Sequence, residues 1–384
     1  MALGLSKFTL LFSILIVNLF SPSLCKSQNF TTDDVKISLL TCSSGSELYS
    51  AYGHSAVRLV DRRHGLDVVF NYGTFDFDTP FFYLKFLNGT LDYMLSTSDY
   101  SRFIRAYSRE GRGVEESELI LSMSQKEEME RLLIENARPE NRFYRYDFFF
   151  DNCATRIRDI VFKVACVDAD TTRADVEDMT YRDCIHERVG ANEWSGFGID
   201  IILGVRADER VSAYEKAFLP DYLNQLFRGA SLTSSGRRIL EKRIMEAKQS
   251  VLTPTVCAVL FLVAIIVISL LETLRRKWFR WFDITLAAVC SLLSVLLWYL
   301  WVVSEIRITS YNVNVLWASV LYIPLIFALS RRKFKMLKAL SVINLLQLAV
   351  FFIVALSGVQ YASAPIVLMA IALAIRNVKY ARML

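Results

Sequence analysis

The chain has 384 residues, 53% of them hydrophobic, with 44 Lys and Arg against 39 Asp and Glu and a formal net charge of +5. That apolar content excludes a disordered chain, and the length allows more than one domain. The positive charge is not a nucleic-acid footprint: residues 254–384 hold thirteen Lys/Arg and three Asp/Glu beside apolar runs, and the remainder is net negative. No polynucleotide partner is implied.

Residues 1–25 form an expected signal peptide: Lys7, an apolar run from Phe8 to Phe20, then Ser-Pro-Ser. The run is short for an uncleaved anchor helix. Leu24 before Cys25 is bulky where lipid-modification sites carry a small residue. Residues 26–235 are mixed, charged and aromatic-rich, the composition of one exported domain. Alternation predicts strands over Val35–Thr41, His54–Asp61 and Asp67–Tyr72, with a short helical segment Glu47–Tyr52 and a turn at Arg62–Gly65. An aromatic helix Pro80–Asn88 follows, then strands Gly89–Thr97 and Ser117–Ser122. Ser124 with Glu127 predicts a capping box opening a helix to Asn136, ended by Pro139. The next helix, Asp151–Val164, opens on Asp151-Asn152-Cys153. A helix Ala207–Phe218 and a basic amphipathic juxtamembrane helix within residues 236–253 complete the domain side.

From residue 254 to 384 apolar runs predict an all-α transmembrane bundle of about five helices: Pro254–Leu274, Phe282–Val303, Val313–Leu329, Leu337–Leu356 and Tyr361–Ile375. Arg275, Arg276, Lys277 and Arg280 follow the first; Arg331, Arg332, Lys333, Lys335 and Lys338 follow the third; Arg376, Lys379 and Arg382 end the fifth. The other loops carry only Glu305 and Arg307. Positive charge marks the cytoplasmic side, so the C-terminus lies inside and the large domain outside.

A thiol in the first turn of a helix lies beside unpaired backbone N–H groups and the positive end of the helix dipole, which favour thiolate over thiol. Cys153 holds that position, and His54 begins a strand about a hundred residues upstream. A cysteine and a histidine far apart in sequence can build a thiol acyl-transfer site. The plain alternatives are a structural thiol and a locally bonded histidine. In an oxidising compartment an unpaired cysteine calls for a use of its reactivity, whereas Cys166 and Cys184 can pair with each other. His64 reads as an exposed turn residue. Cys184 and His186 lie two apart, but three histidines in all and no C-x-x-C pair give no metal site, and no cofactor is expected. Arg58, Arg156, Arg158 and Asp159 form ion pairs in the plain reading; Arg58 or Arg156 meeting a lipid phosphate is the sharper one.

Strand, strand bearing histidine, strand, then helix bearing cysteine describes an α+β domain resembling a circularly permuted papain-like (NlpC/P60-like) fold. At these residues the chain resembles the Bacteroidota lipoprotein N-acyltransferase (Lnb) family, an exported cysteine domain fused to a small transmembrane bundle. The matching pieces are Glu47-x-x-Ser50-x-x-Gly53-His54, Asn71 to Phe77, Tyr144 to Asp159, Phe218-Leu219-Pro220-Asp221, and Asn312-x-Asn314-x-Leu316-Trp317. Where the family pattern leads to a polar or histidine residue near position 306, this chain has Ile306. The resemblance implies a multi-pass protein of the bacterial inner membrane. It would move a fatty acyl group from a phospholipid, through a thioester on Cys153, to the α-amino group of a lipoprotein's lipidated N-terminal cysteine. His54 would act as base. A third polar residue should orient the imidazole: Asn71 by strand geometry, or Glu47. Cell-wall amidases or peptidases of the same permuted type are the competing enzyme class, and a non-catalytic membrane assembly factor the competing binding class. The multi-span bundle favours lipid over murein, because a peptidase needs only one anchor.

Overall fold

The computed structural model describes residues 34–169, 176–243 and 251–382. The expected signal peptide falls outside them. The first domain is mixed α/β. Its strands are β1 (Val35–Cys42), β2 (His54–Asp61), β3 (Leu66–Thr74), β4 (Asp92–Asp99), β5 (Val114–Glu118), β6 (Phe143–Arg145), β7 (Val176–Thr180), β8 (Arg210–Ser212) and β9 (Arg237–Leu240). Its helices are α1 (Phe82–Asn88), α2 (Tyr100–Glu110), α3 (Met123–Ala137), α4 (Cys153–Ala165), α5 (Tyr181–Val189), α6 (Trp194–Ile202), α7 (Ala213–Lys216) and α8 (Pro220–Gly229). A seven-stranded antiparallel sheet runs in the order β6-β4-β3-β2-β1-β5-β9, and β7 pairs with β8 apart from it.

Side chains alternate between the two faces of a strand, and that alternation divides the core. Val35, Ile37, Leu39, Val57, Leu59, Phe70 and Tyr72 join α3, α4 and α8 on one face. Leu40, Cys42, Ala56 and Val69 meet Phe103 and Tyr107 of α2 on the other. β1 lies between β2 and β5 with both faces covered, which accounts for its near-continuous burial.

Several expectations need correction. The helix α3 is capped by Ser122 with Gln125, not by Ser124 with Glu127. Both spacings fit a capping box, and the earlier start brings Met123 against the core. The region expected as one helix over Ala207–Phe218 is a 3-10 turn at Val205–Asp208, then β8, then α7. Ser212 pairs with Glu215 in a capping box of its own and starts the chain afresh there. The expected juxtamembrane helix is not helical where it is described: β9 extends instead along β5. There Arg237 meets Glu116 at 3.2 Å, and the pairing covers an edge strand that would otherwise leave backbone groups open. Glu47–Tyr52 shrinks to a 3-10 turn at Leu48–Ser50. The helices α2 and α5 and the strand β6 were not anticipated.

In the second region, α9 (Pro254–Arg275), α10 (Arg280–Val302), α12 (Phe334–Ser357) and α13 (Ala364–Arg382) are long and apolar enough to cross a membrane. At ~1.5 Å per residue such helices span the ~30 Å hydrocarbon layer. The third expected span is different. Val313–Leu316 is a 3-10 turn, and only α11 (Tyr322–Arg331) is helical. The reason lies at the domain boundary. A helix leaves its last carbonyls without intrahelical partners, and those of α6 are met from the bundle. Asn312 Nδ2 donates to Ile201 O at 2.8 Å, Asn314 Nδ2 to Asp200 O at 3.1 Å, and Gln360 Nε2 to Leu203 O at 3.3 Å. These bonds hold residues 312–314 against the domain, so the helical part of this apolar segment begins only at Tyr322.

Candidate functional site

The site is built where α4 meets the start of β2 and the end of β3. Asn152 caps α4: its Oδ1 accepts from the N–H groups of Ala154 at 2.8 Å and Thr155 at 2.9 Å, and its Nδ2 donates to Phe148 O and Phe218 O. Cys153 is therefore the first helical residue, and the cap does not engage its N–H. As a residue Cys153 is 8% exposed, which leaves it largely withdrawn from water.

His54 opens β2 beside Cys153, near enough for the two side chains to shift each other's pKa. Its Nε2 lies 2.5 Å from Oδ1 of Asn71 on β3. With Nε2 donating to that amide oxygen, Nδ1 is the ring nitrogen left for sulfur. Glu47, the alternative orienting residue, is exposed and offers its backbone carbonyl to Ser50 Oγ; the residue on the imidazole is Asn71. β3 bulges between Asn71 and Thr74, and Gly73 there adopts φ +86°, a left-handed conformation that favours glycine. A Cβ at Gly73 would sit 3.6 Å from Cys153 Cβ, so this bulge is one wall of the site.

The electrostatics fit a reactive thiol. Burial pushes the Cys153 thiol up, but the charge of His54, its hydrogen bond and the N–H groups of Ser55 and Ala154 outweigh burial, and the net shift is downward. Burial lowers His54, while the thiolate charge, its hydrogen bond and Asn71 raise it further, so the net shift is upward. The two shifts together favour a thiolate–imidazolium pair. Cys42, opposite His54 in the β1–β2 register, is wholly buried, and burial pushes its thiol up to about 12. It is a structural thiol.

Tyr144 carried no assigned role in the sequence reading. Its ring stacks under Arg156 at 3.5 Å, and its buried hydroxyl has no hydrogen-bond partner among the described residues. That hydroxyl lies 4.0 Å from the same Gly73 Cβ position that faces Cys153. Burial raises its pKa, which keeps the phenol protonated and a donor. The only sequence signal was its place in the Tyr144–Asp159 block.

The arginines are committed elsewhere. Arg156 pairs with Asp151 at 2.6 Å, Arg158 with Asp159 at 2.8 Å, and Arg58 with Asp67 at 2.8 Å and Glu116 at 3.0 Å. Cys166 is exposed and Cys184 buried, and no disulfide joins them. His64 bonds to Asp61 at 2.6 Å, and His186 to Asp200 at 2.8 Å. Asp61, His64 and Glu130 bring ligand atoms together, but Arg63 already spans Asp61 and Glu130 at 2.9 and 3.1 Å and supplies the positive charge.

Residues 25–187 match the family model described as the Lnb N-terminal periplasmic domain, and residues 246–384 match the one described as the Lnb transmembrane domain. The chain belongs to the Lnb family. No curated protein and no solved structure matches it. Lnb membership makes the first domain periplasmic and the helical region a membrane domain. It also associates the chain with lipoprotein N-acylation, and in the Lnb architecture the Cys153 site lies on the periplasmic part.

Proposed function

We propose that this protein is a cysteine-dependent lipoprotein N-acyltransferase of the inner membrane, with the permuted papain-like order of histidine strand before cysteine helix. The observation that carries the reading is the Cys153–His54–Asn71 alignment in a domain docked on a membrane bundle. The Cys153 thiolate attacks an ester carbonyl of a phospholipid; the C–O bond breaks as the His54 imidazolium gives its proton to the leaving lysophospholipid oxygen. The α-amino group of a diacylglyceryl-cysteine then attacks the thioester. His54 takes the amine proton, the C–S bond breaks, and the amide and free thiolate result. The Cys153 N–H at the helix start and the Tyr144 hydroxyl supply donors for the tetrahedral oxyanion.

In cells, Cys153→Ser and His54→Ala abolish N-acylation at unchanged protein level, and Tyr144→Phe lowers it by about 10²-fold. Tri-acylated lipoproteins persisting in the Cys153→Ser strain overturn the acyl-enzyme. Purified protein given phospholipid shows an acyl adduct on Cys153 by mass spectrometry; murein cleavage without that adduct favours a cell-wall peptidase.

A further inference from the structure

The helix α1 presents the wrong chemistry to water. Tyr83 is 82% exposed, Leu84 57% and Phe86 55%, and Phe81 just before the helix is 77% exposed. A helix on the surface of a soluble domain turns charge outward at such positions. This one is tied to the outer end of a membrane helix. Glu305 N donates to Asn88 O at 2.9 Å, and Ser304 Oγ donates to Leu87 O at 2.9 Å, three and two residues past the end of α10. Gly89 allows the approach: a Cβ there would meet Ile306 Cγ1 at 2.9 Å. The apolar exposure continues down the span through Val303 at 55% and Val302 at 68%.

Behind this face a row of rings leads inward. Phe86 stacks on Phe82 at 6.3 Å, Phe82 meets Phe75 at 5.9 Å, Phe75 meets Tyr93 at 5.2 Å, and Tyr93 stacks on Tyr146 at 4.1 Å. Tyr146 and Cys153 both lie 3.6 Å from the Gly73 Cβ position. An apolar wall thus runs from the surface continuous with the membrane span to the thiol.

We propose that α1 lies in the outer leaflet of the membrane and that this ring row is the route by which a phospholipid acyl chain reaches Cys153. The inference rests on the acyl-transfer reading and adds the source and path of the acyl chain. Aromatic side chains are favoured at the headgroup boundary, and short apolar helices bury one face there. The lipid enters sideways from the bilayer, tail along the rings, and its ester carbonyl arrives at the sulfur without crossing water.

The test uses the full chain in vesicles of phosphatidylethanolamine and phosphatidylglycerol, with the photocrosslinker benzoylphenylalanine replacing Tyr83, Phe86 or, as a control at the far β2–β3 turn, Leu66. Lipid adducts are expected at 83 and 86 and not at 66. A Tyr83→Asp, Leu84→Asp double variant is expected to slow acylation of Cys153 by vesicle phospholipid by about tenfold or more, leaving acylation by a soluble short-chain nitrophenyl ester unchanged. Adducts at 83 no higher than at 66, or equal losses with both donors, overturn the entry site. Wild-type protein that takes an acyl group from neither donor defeats the acyl-transfer reading instead; the crosslinks then decide separately whether α1 lies in lipid.

Discussion

The Cys153 sulfur sits between two opposed influences. Burial favours the neutral thiol, while His54 and two backbone N–H groups favour the thiolate, and the second set prevails. Thiolate forms as pH rises through the Cys153 value, and the imidazolium is lost as pH rises through the His54 value. With the first lowered and the second raised, the ion pair occupies a window wider than isolated side chains allow. Alkylation of Cys153 by iodoacetamide against pH therefore has its acid limb below the ordinary thiol value. In His54→Ala that limb moves up, because burial then faces only the N–H groups. Asn71→Ala removes one influence that raises His54, so the basic limb of acyl transfer moves to lower pH and the rate falls by about tenfold or more. An unchanged pH–rate profile in Asn71→Ala refutes the orienting role.

At the scale of the element, α4 shows how one side chain sets a reactive position. Asn152 satisfies two N–H groups at the helix start and, through Nδ2, two carbonyls from separate segments. Asn152→Ala gives up a cap of about 1 kcal/mol and orphans those carbonyls, for a total loss of about 2–4 kcal/mol. Thermal unfolding of the full chain in detergent is expected to shift down by several degrees. Asn152→Asp keeps the Oδ1 cap but turns a carboxylate oxygen toward those two carbonyls, so it is expected to unfold below wild type as well; a Tm equal to wild type in both variants excludes this account. The Asp-Asn-Cys pattern was readable in the sequence because capping is local. The β9 strand was not: Arg237–Leu240 sets two charged residues before two apolar ones, without the alternation of a strand, and only the open edge of β5, distant in sequence, selects one.

Across the whole molecule, the basic end of the bundle is closed by a buried ion cluster. Arg376 on α13 pairs with Glu272 on α9 at 2.7 Å and with Asp283 on α10 at 2.9 Å, and all three side chains are within 3% of full burial. Removing one member leaves uncompensated buried charge, a loss of about 3–5 kcal/mol. Arg376→Met is expected to unfold at clearly lower temperature in detergent, and the double variant Arg376→Met, Asp283→Asn, which keeps the Glu272–Lys379 pair, to recover much of the loss. Equal instability in single and double variants refutes the charge account. Hydropathy and loop charge were enough to divide the chain into a domain and a membrane region and to orient it, because both are sums over local composition. The His54 strand and the Cys153 helix were legible for the same reason, each being a short-range pattern. Which residue holds the imidazole, where the helix within residues 313–331 begins, and how α1 docks on the end of α10 depended on contacts between segments far apart in the chain. The bulge at Gly73, the α6 carbonyls met by Asn312 and Asn314, and the approach of Gly89 to Ile306 exist only once those segments meet.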